Sequence, residues 1–147
     1  MKRLAICLTF SLAVTGCVTH PRTFSSLTPA RRDDVYDCAL QRVKAMGYLA
    51  AIDNKEAGHL AGRRLTREAN LGSIGNKRYD ELWVSISDAD SATRKLQVVA
   101  GRAQESHTSS SATRIERGPD DKVQGEAQAL LTACTQAAIK SGAERHP

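Results

Sequence analysis

Apolar and polar residues alternate with a period of two in the middle of the chain, which is typical of half-buried strands. Four segments read as strands, and they cover residues 48–53, 59–66, 81–87 and 95–103. In the last two, one face collects Leu82, Val84, Ile86, Leu96, Val98 and Ala100. Between the first two, Asn54 and Gly58 suit the turn of a hairpin. We therefore predict four strands with one apolar face.

A helical period precedes these strands and predicts a first helix over residues 29–46. Thr28 suits the N-cap and Pro29 the first helical position, while Gly47 suits a left-handed stop. The apolar stripe of this helix consists of Val35, Ala39, Val43 and Met46.

A second helical period follows the strands and predicts a helix from Asp120 or Asp121 to about Lys140. Its apolar stripe consists of Val123, Ala127, Leu130, Cys134 and Ala137. The polar segment 106–121 before it reads as a loop. This order predicts an α+β fold, a two-layer sandwich in which a four-stranded antiparallel sheet carries both helices on one face. We expect a single domain over residues 27–147.

The first sixteen residues have the layout of a secretory signal peptide. Two basic residues precede an uncharged segment, 4–14, which is shorter than the roughly 20 residues that span a bilayer. A buried helix at the start of a domain is the alternative interpretation. The polar residues 17–26 after the signal peptide read as a tether between membrane and domain.

The stretch Val14-Thr15-Gly16-Cys17 resembles the lipobox of bacterial lipoproteins. This resemblance implies cleavage between Gly16 and Cys17, a diacylglyceryl group on the Cys17 thiol, and acylation, for example with palmitate, of the new amino terminus. Residue 18 is Val rather than an acidic retention signal. The resemblance therefore implies an outer-membrane protein that is lipid-anchored and faces the periplasm.

Removal of Cys7 with the signal peptide and lipidation of Cys17 would leave Cys38 and Cys134 in a compartment where disulfides persist. We predict that these two form a disulfide that links the two helices. In the chain-entropy model, a closed loop of roughly 96 residues gives about 4 to 5 kcal/mol of stabilisation. Two buried thiols are the alternative.

Motifs for catalysis, metals and cofactors are missing from the sequence. The four histidines are scattered, and neither Cys-x-x-Cys nor Gly-x-Ser-x-Gly occurs. The segment "GSIG" (72–75) lacks the ending of a phosphate-binding loop and reads as a connection between strands. Without Lys2 and Arg3, the 21 basic residues become 19 against 16 acidic ones, a net charge of +3 that is small for a nucleic-acid partner. We expect a protein without enzymatic activity, cofactor, metal or nucleic acid.

Two groups of residues are candidates for binding. Arg63, Arg64 and Arg67 crowd the second predicted strand, and Lys77 precedes the third. Such a patch suits the anionic groups of glycolipid or peptidoglycan, and a solvated surface of mixed charge is the alternative. Trp83 points away from the predicted helices, beside Leu65 and Val99. It indicates a docking surface, unless the 106–121 segment covers it.

The segment "VYDCALQRVKAMGYLAAIDNKEAGHLAG" (35–62) is similar to the opening of the helix-grip modules in BamC-like outer-membrane assembly lipoproteins. The resemblance implies two helices on an antiparallel sheet and binding to other proteins without catalysis. Our leading hypothesis is an outer-membrane lipoprotein that serves as an accessory or scaffold in envelope assembly. It would contact the membrane through its lipid and an envelope protein through its domain. The alternative is a binding module for anionic glycolipid or peptidoglycan.

Overall fold

A computed structural model describes residues 20–72 and 74–143 of the chain. The predicted signal peptide, the lipidation site Cys17 and the first residues of the tether lie outside the described residues. In chain order the elements are β1 (Arg22–Thr28), α1 (Arg32–Ala45), β2 (Leu49–Asn54), β3 (His59–Leu71), β4 (Ile74–Asp88), β5 (Arg94–His107), β6 (Ala112–Arg117) and α2 (Asp121–Ala143).

The strands form one antiparallel sheet in the order β1-β5-β4-β3-β2, and β6 also pairs with β5. β1 and β6 share the outer edge of β5, where β1 pairs with residues 94–100 and β6 with residues 102–107. α1 packs on β2, β3 and β4, and α2 packs on β1, β4 and β5. The predicted α+β class with two helices is therefore confirmed, but the predicted number of four strands is wrong, because the sheet has six.

β1 lies partly in the segment that we expected to be a tether. Phe24 packs against the core and Thr28 is buried, while the residues between them alternate in exposure. The inward positions include Ser26 and Thr28, so the strand has no apolar periodicity in the sequence. Residues 22–26 therefore belong to the sheet, although the sequence predicted them as part of the tether.

The other strand missed by the sequence is β6, in the segment predicted as a loop. All six of its residues are exposed, so that burial imposes no apolar pattern on them. The hairpin of β3 and β4 is also longer than predicted, because its polar ends reach Leu71 and Ile74. Of the predicted connection "GSIG", Ile74 and Gly75 already belong to β4, and Gly72, which follows β3, has a φ of 61°.

α1 begins three residues later than predicted. Its N-cap is Arg31, whose backbone is extended and which makes no capping bond through its side chain. Thr28 instead ends β1, and its hydroxyl accepts a hydrogen bond from the N–H of Ala30 at 3.3 Å. The residue before a proline disfavours the helical conformation, which explains why Thr28 stays extended before Pro29. The predicted stop at Gly47 is confirmed by its φ of 81°.

The core lies between the sheet and the helices. The predicted inward faces of the third and fourth strands, now β4 and β5, are buried, and so are Val35, Ala39, Val43, Val123, Ala127, Leu130 and Cys134 of the helices. Cys38 of α1 and Cys134 of α2 form a disulfide, with Cα atoms 5.6 Å apart. The predicted link between the two helices is therefore present in the structure.

Candidate functional site

The face of the sheet opposite the helices, which we call the open face, carries an apolar row across four strands. Ile52 of β2, Ala61 of β3, Trp83 of β4 and Val99 of β5 are successive partners in the register. The residues on either side of Trp83 are buried in the core. Because side chains alternate along a strand, Trp83 must therefore lie on the open face.

Trp83 borders a shallow depression of about 230 Å³, whose lining includes Ile52, His59 and Val99. The Trp83 and Ile52 residues are each 42% exposed. The segment 106–121 does not cover Trp83, because its strand β6 extends the sheet beside β5. Leu65, which we expected beside Trp83, pairs instead with Tyr79 further along β4. Within the described part of the chain, nothing covers the apolar surface formed by Ile52, Trp83 and the half-buried Val99.

Beside this row, a closed ring of four charged side chains occupies the open face. Arg63 donates hydrogen bonds to Glu81, at 2.8 Å, and to Glu105. Arg114 donates to the same two carboxylates, at 2.6 and 2.9 Å. Burial alone would raise the pKa of Glu105, but the hydrogen bonds from Arg63 and Arg114 outweigh it and lower the pKa. The ring carries no net charge, so its arginines are not available to an anionic ligand.

Arg64 lies on the other face, between the sheet and the helices. Its guanidinium donates to Glu126 of α2 at 2.9 Å, to Asp80 at 2.8 Å and to the carbonyl oxygen of Met46 at 2.8 Å. It also stacks on the ring of Tyr48, which donates to Glu126 at 2.6 Å. Burial alone would raise the pKa of Glu126, but the bonds from Arg64 and Tyr48 lower it. Arg64 therefore connects β3, β4 and α2 and serves the fold.

The four basic residues that the sequence grouped as a patch are not brought together by the structure. Arg63 belongs to the ring on the open face, and Arg64 is enclosed under the helices. Lys77 forms an ion pair with Glu68 at 3.3 Å. Only Arg67 faces a cavity that could receive an anion.

That cavity is a recess of about 270 Å³ beside the start of α2. Its charged lining consists of Arg67, Arg78, Arg102, Arg117, Asp80 and Asp120. Sequence reasoning missed Arg102 and Arg117, because β6 was not predicted and its register with β5 brings Arg117 beside Arg102. A β-bulge between Leu65 and Arg67 is the second reason. In a regular strand, Arg63 and Arg67 would share a face, because they are four residues apart. The bulge instead places Arg67 on the other face, opposite Arg78.

Two aspartates in a turn and at a helix start, Asp90 and Asp120, make local contacts. In the β4–β5 turn, Asp90 accepts hydrogen bonds from the Thr93 hydroxyl and from the N–H groups of Ala92 and Thr93. These bonds lower the pKa of Asp90, and the bond from the hydroxyl contributes most. Asp120 accepts the N–H of Val123 at the start of α2. Within residues 20–72 and 74–143, no group of three or more His, Cys, Asp or Glu is placed to hold a metal ion.

No family model and no curated protein matches the chain. Among the described residues, none of the helices combines the length and the apolar character that a membrane crossing requires.

Proposed function

We propose that the chain is a non-enzymatic, lipid-anchored protein of the outer membrane that supports envelope assembly by binding a protein partner on its open face. The observation that carries this proposal is the apolar row of Ile52, Trp83 and Val99, in which Ile52 and Trp83 are exposed. Aromatic residues in apolar depressions are common centres of binding energy in protein interfaces. A sheet face without helices has room for such a partner.

The surroundings of the row favour a protein partner over an anionic glycan. No lysine or arginine belongs to the row itself. Arg63, which lies two residues from Ala61 on the same face of β3, is bonded to Glu81 and Glu105 in the ring. An anionic ligand would gain little electrostatic attraction at Trp83, whereas apolar side chains of a protein would bury both surfaces from water.

The anchor is supported by the lipobox-like stretch that ends at Cys17. Stable anchoring requires two or more acyl chains, which lipidation of the thiol and of the amino terminus would supply. Cys17→Ala should release the protein from membranes in fractionation of cells. Retention of this variant in the membrane fraction would contradict the anchor.

The open face is tested with a photo-crosslinking residue placed at position 83 of the full chain in intact cells. The same residue at Ile115, which is 50% exposed on β6, serves as the matched control. We expect a crosslink to one envelope protein from position 83 and none to that protein from position 115. Trp83→Ala should then abolish co-purification of that protein, while Ile115→Ala should leave it unchanged.

Added salt provides a second discrimination. Binding on an apolar row should change little between low and high ionic strength, because screening acts on charges. Equal crosslinking from positions 83 and 115, or loss of binding at high salt, would contradict a docking surface at Trp83. An unfolded Trp83→Ala variant, detected by circular dichroism, would assign the residue to the core instead.

The alternative function, binding of anionic glycolipid or peptidoglycan by Arg63, Arg64, Arg67 and Lys77 together, has less support. Three of these four side chains are ion-paired within the protein. Arg67 alone lines a recess, together with Arg78, Arg102 and Arg117.

A further inference from the structure

We propose that the recess lined by Arg67, Arg78, Arg102 and Arg117, which we call the arginine recess, binds the phosphate group of a membrane lipid. The site stands on the geometry of the recess. The choice of a lipid as the source of the phosphate rests on the lipid anchor of the proposed function.

Three of the four guanidinium groups have no partner of their own among residues 20–72 and 74–143. Arg67, Arg78 and Arg117 make no ion pair and donate no side-chain hydrogen bond among the described residues. Arg102 donates to the carbonyl oxygen of Gly118 at 3.0 Å and lies 3.5 Å from Asp120. The recess therefore offers the planar donor groups that match phosphate oxygens.

The two carboxylates of the lining do not neutralise these arginines. Asp80 is bonded to Arg64, which lies outside the recess, at 2.8 Å. Asp120 caps α2 through the N–H of Val123 at 3.0 Å, and its other oxygen faces Arg102. Four arginines and two aspartates leave the lining with a formal charge of +2.

The sheet register places like charges opposite each other at this recess. Arg67 is the cross-strand partner of Arg78, and Arg102 is the cross-strand partner of Arg117. Like charges that face each other across strands are destabilising. A bound phosphate would lie among these cations, and its attraction to each of them would offset their mutual repulsion.

The start of the described chain lies beside β5 and β6, the strands that carry Arg102 and Arg117, on the open face at Gly101. A Cβ atom placed on Gly101 would lie 3.6 Å from Pro21 and 3.6 Å from the carbonyl oxygen of Arg117. Cys17 precedes Pro21 by four residues, which span at most about 14 Å. A lipid on Cys17 would therefore hold this end of the sheet close to the membrane surface, where lipid phosphates are concentrated.

The test uses the mature chain purified in a non-ionic detergent and three probes in isothermal titration. These are inorganic phosphate, short-chain phosphatidic acid, and diacylglycerol with the same acyl chains. We expect binding of phosphatidic acid, weaker binding of inorganic phosphate and none of diacylglycerol. Arg67→Gln, Arg78→Gln and Arg117→Gln should each weaken binding about tenfold, since one charge-assisted interaction is lost. Arg42→Gln is the matched control, because Arg42 is an exposed arginine on α1 that does not line the recess.

Several results would contradict either the phosphate site itself or a membrane lipid as the source of the phosphate. Equal weakening in Arg78→Gln and Arg42→Gln would show general attraction to a basic protein and would remove the site. Failure to bind either phosphate probe would do the same. Binding of inorganic phosphate that equals or exceeds that of phosphatidic acid would keep the site but contradict the lipid source. Trp83→Ala should bind phosphate normally, so the two proposals can fail separately.

Discussion

Two sets of arginines lie within a few residues of each other in the sheet but differ in their contacts. Arg63, Arg64 and Arg114 are each bonded to two carboxylates. The recess residues Arg67, Arg78 and Arg117 have no carboxylate partner among the described residues. A set of basic residues in the sequence therefore contains both structural and available cations, and only their partners distinguish them.

The difference originates in strand register. Arg63 and Arg64 alternate between the two faces of β3, and each meets carboxylates on its own face. Past the bulge, Arg67 meets another arginine instead. The register of all the strands therefore decides which arginines of a basic patch are available to a ligand, and the two sets should respond differently to the same changes.

Loss of the disulfide should have the largest effect. Because the bond joins α1 and α2 and involves neither set of arginines, its loss should lower the stability of the whole fold. Reduction of the Cys38–Cys134 bond should lower the free energy of unfolding by about 4 kcal/mol, because the unfolded chain regains the freedom of a long loop. Urea denaturation with and without reductant measures this change. A variant with both cysteines replaced by serine should show no response to reductant. An equal response in that variant would contradict the assignment.

Replacement of a paired arginine should have the next largest effect. Arg64→Met would leave Glu126 and Asp80 without their cation under the helices, and we expect a loss of about 3 kcal/mol. Arg78→Met removes a cation that faces another cation, and we expect a change within about 0.5 kcal/mol. Urea denaturation of both variants at low salt compares them. Similar losses in the two variants would erase the distinction between the sets.

Acid should separate the sets by a smaller amount. The folded-state pKa values of Glu105 and Glu126 lie below the ordinary value of 4.5. Their stabilisation is therefore fully present above about pH 4.5 and is lost as the pH falls through the lowered values. The free energy of unfolding should fall in this range in the wild type and in Arg78→Met, but less steeply in Arg64→Met. An identical pH profile in all three chains would contradict the role of these ion pairs.

The sequence predicted those parts of the fold that burial imposes on the residue pattern. The inward faces of β4 and β5, the helical stripes and the disulfide all involve side chains that pack in the core. β1 and β6 were missed because their stability comes from pairing with β5, which requires no apolar period. The arginine recess was missed for the same reason, since Arg117 belongs to β6 and the bulge before Arg67 has no sequence signal. Trp83 was placed correctly because its neighbours in sequence are both core residues.

The most direct test of the distinction between the two sets is the shift in the urea midpoint that added phosphate produces. A ligand that binds only the folded state raises its stability. Phosphate should raise the midpoint of the wild type and of Arg114→Gln, whose arginine belongs to the ring, by the same amount. It should leave the midpoint of the triple variant Arg67→Gln/Arg78→Gln/Arg117→Gln unchanged. An equal rise in the triple variant, or a loss of the rise in Arg114→Gln alone, would contradict the account.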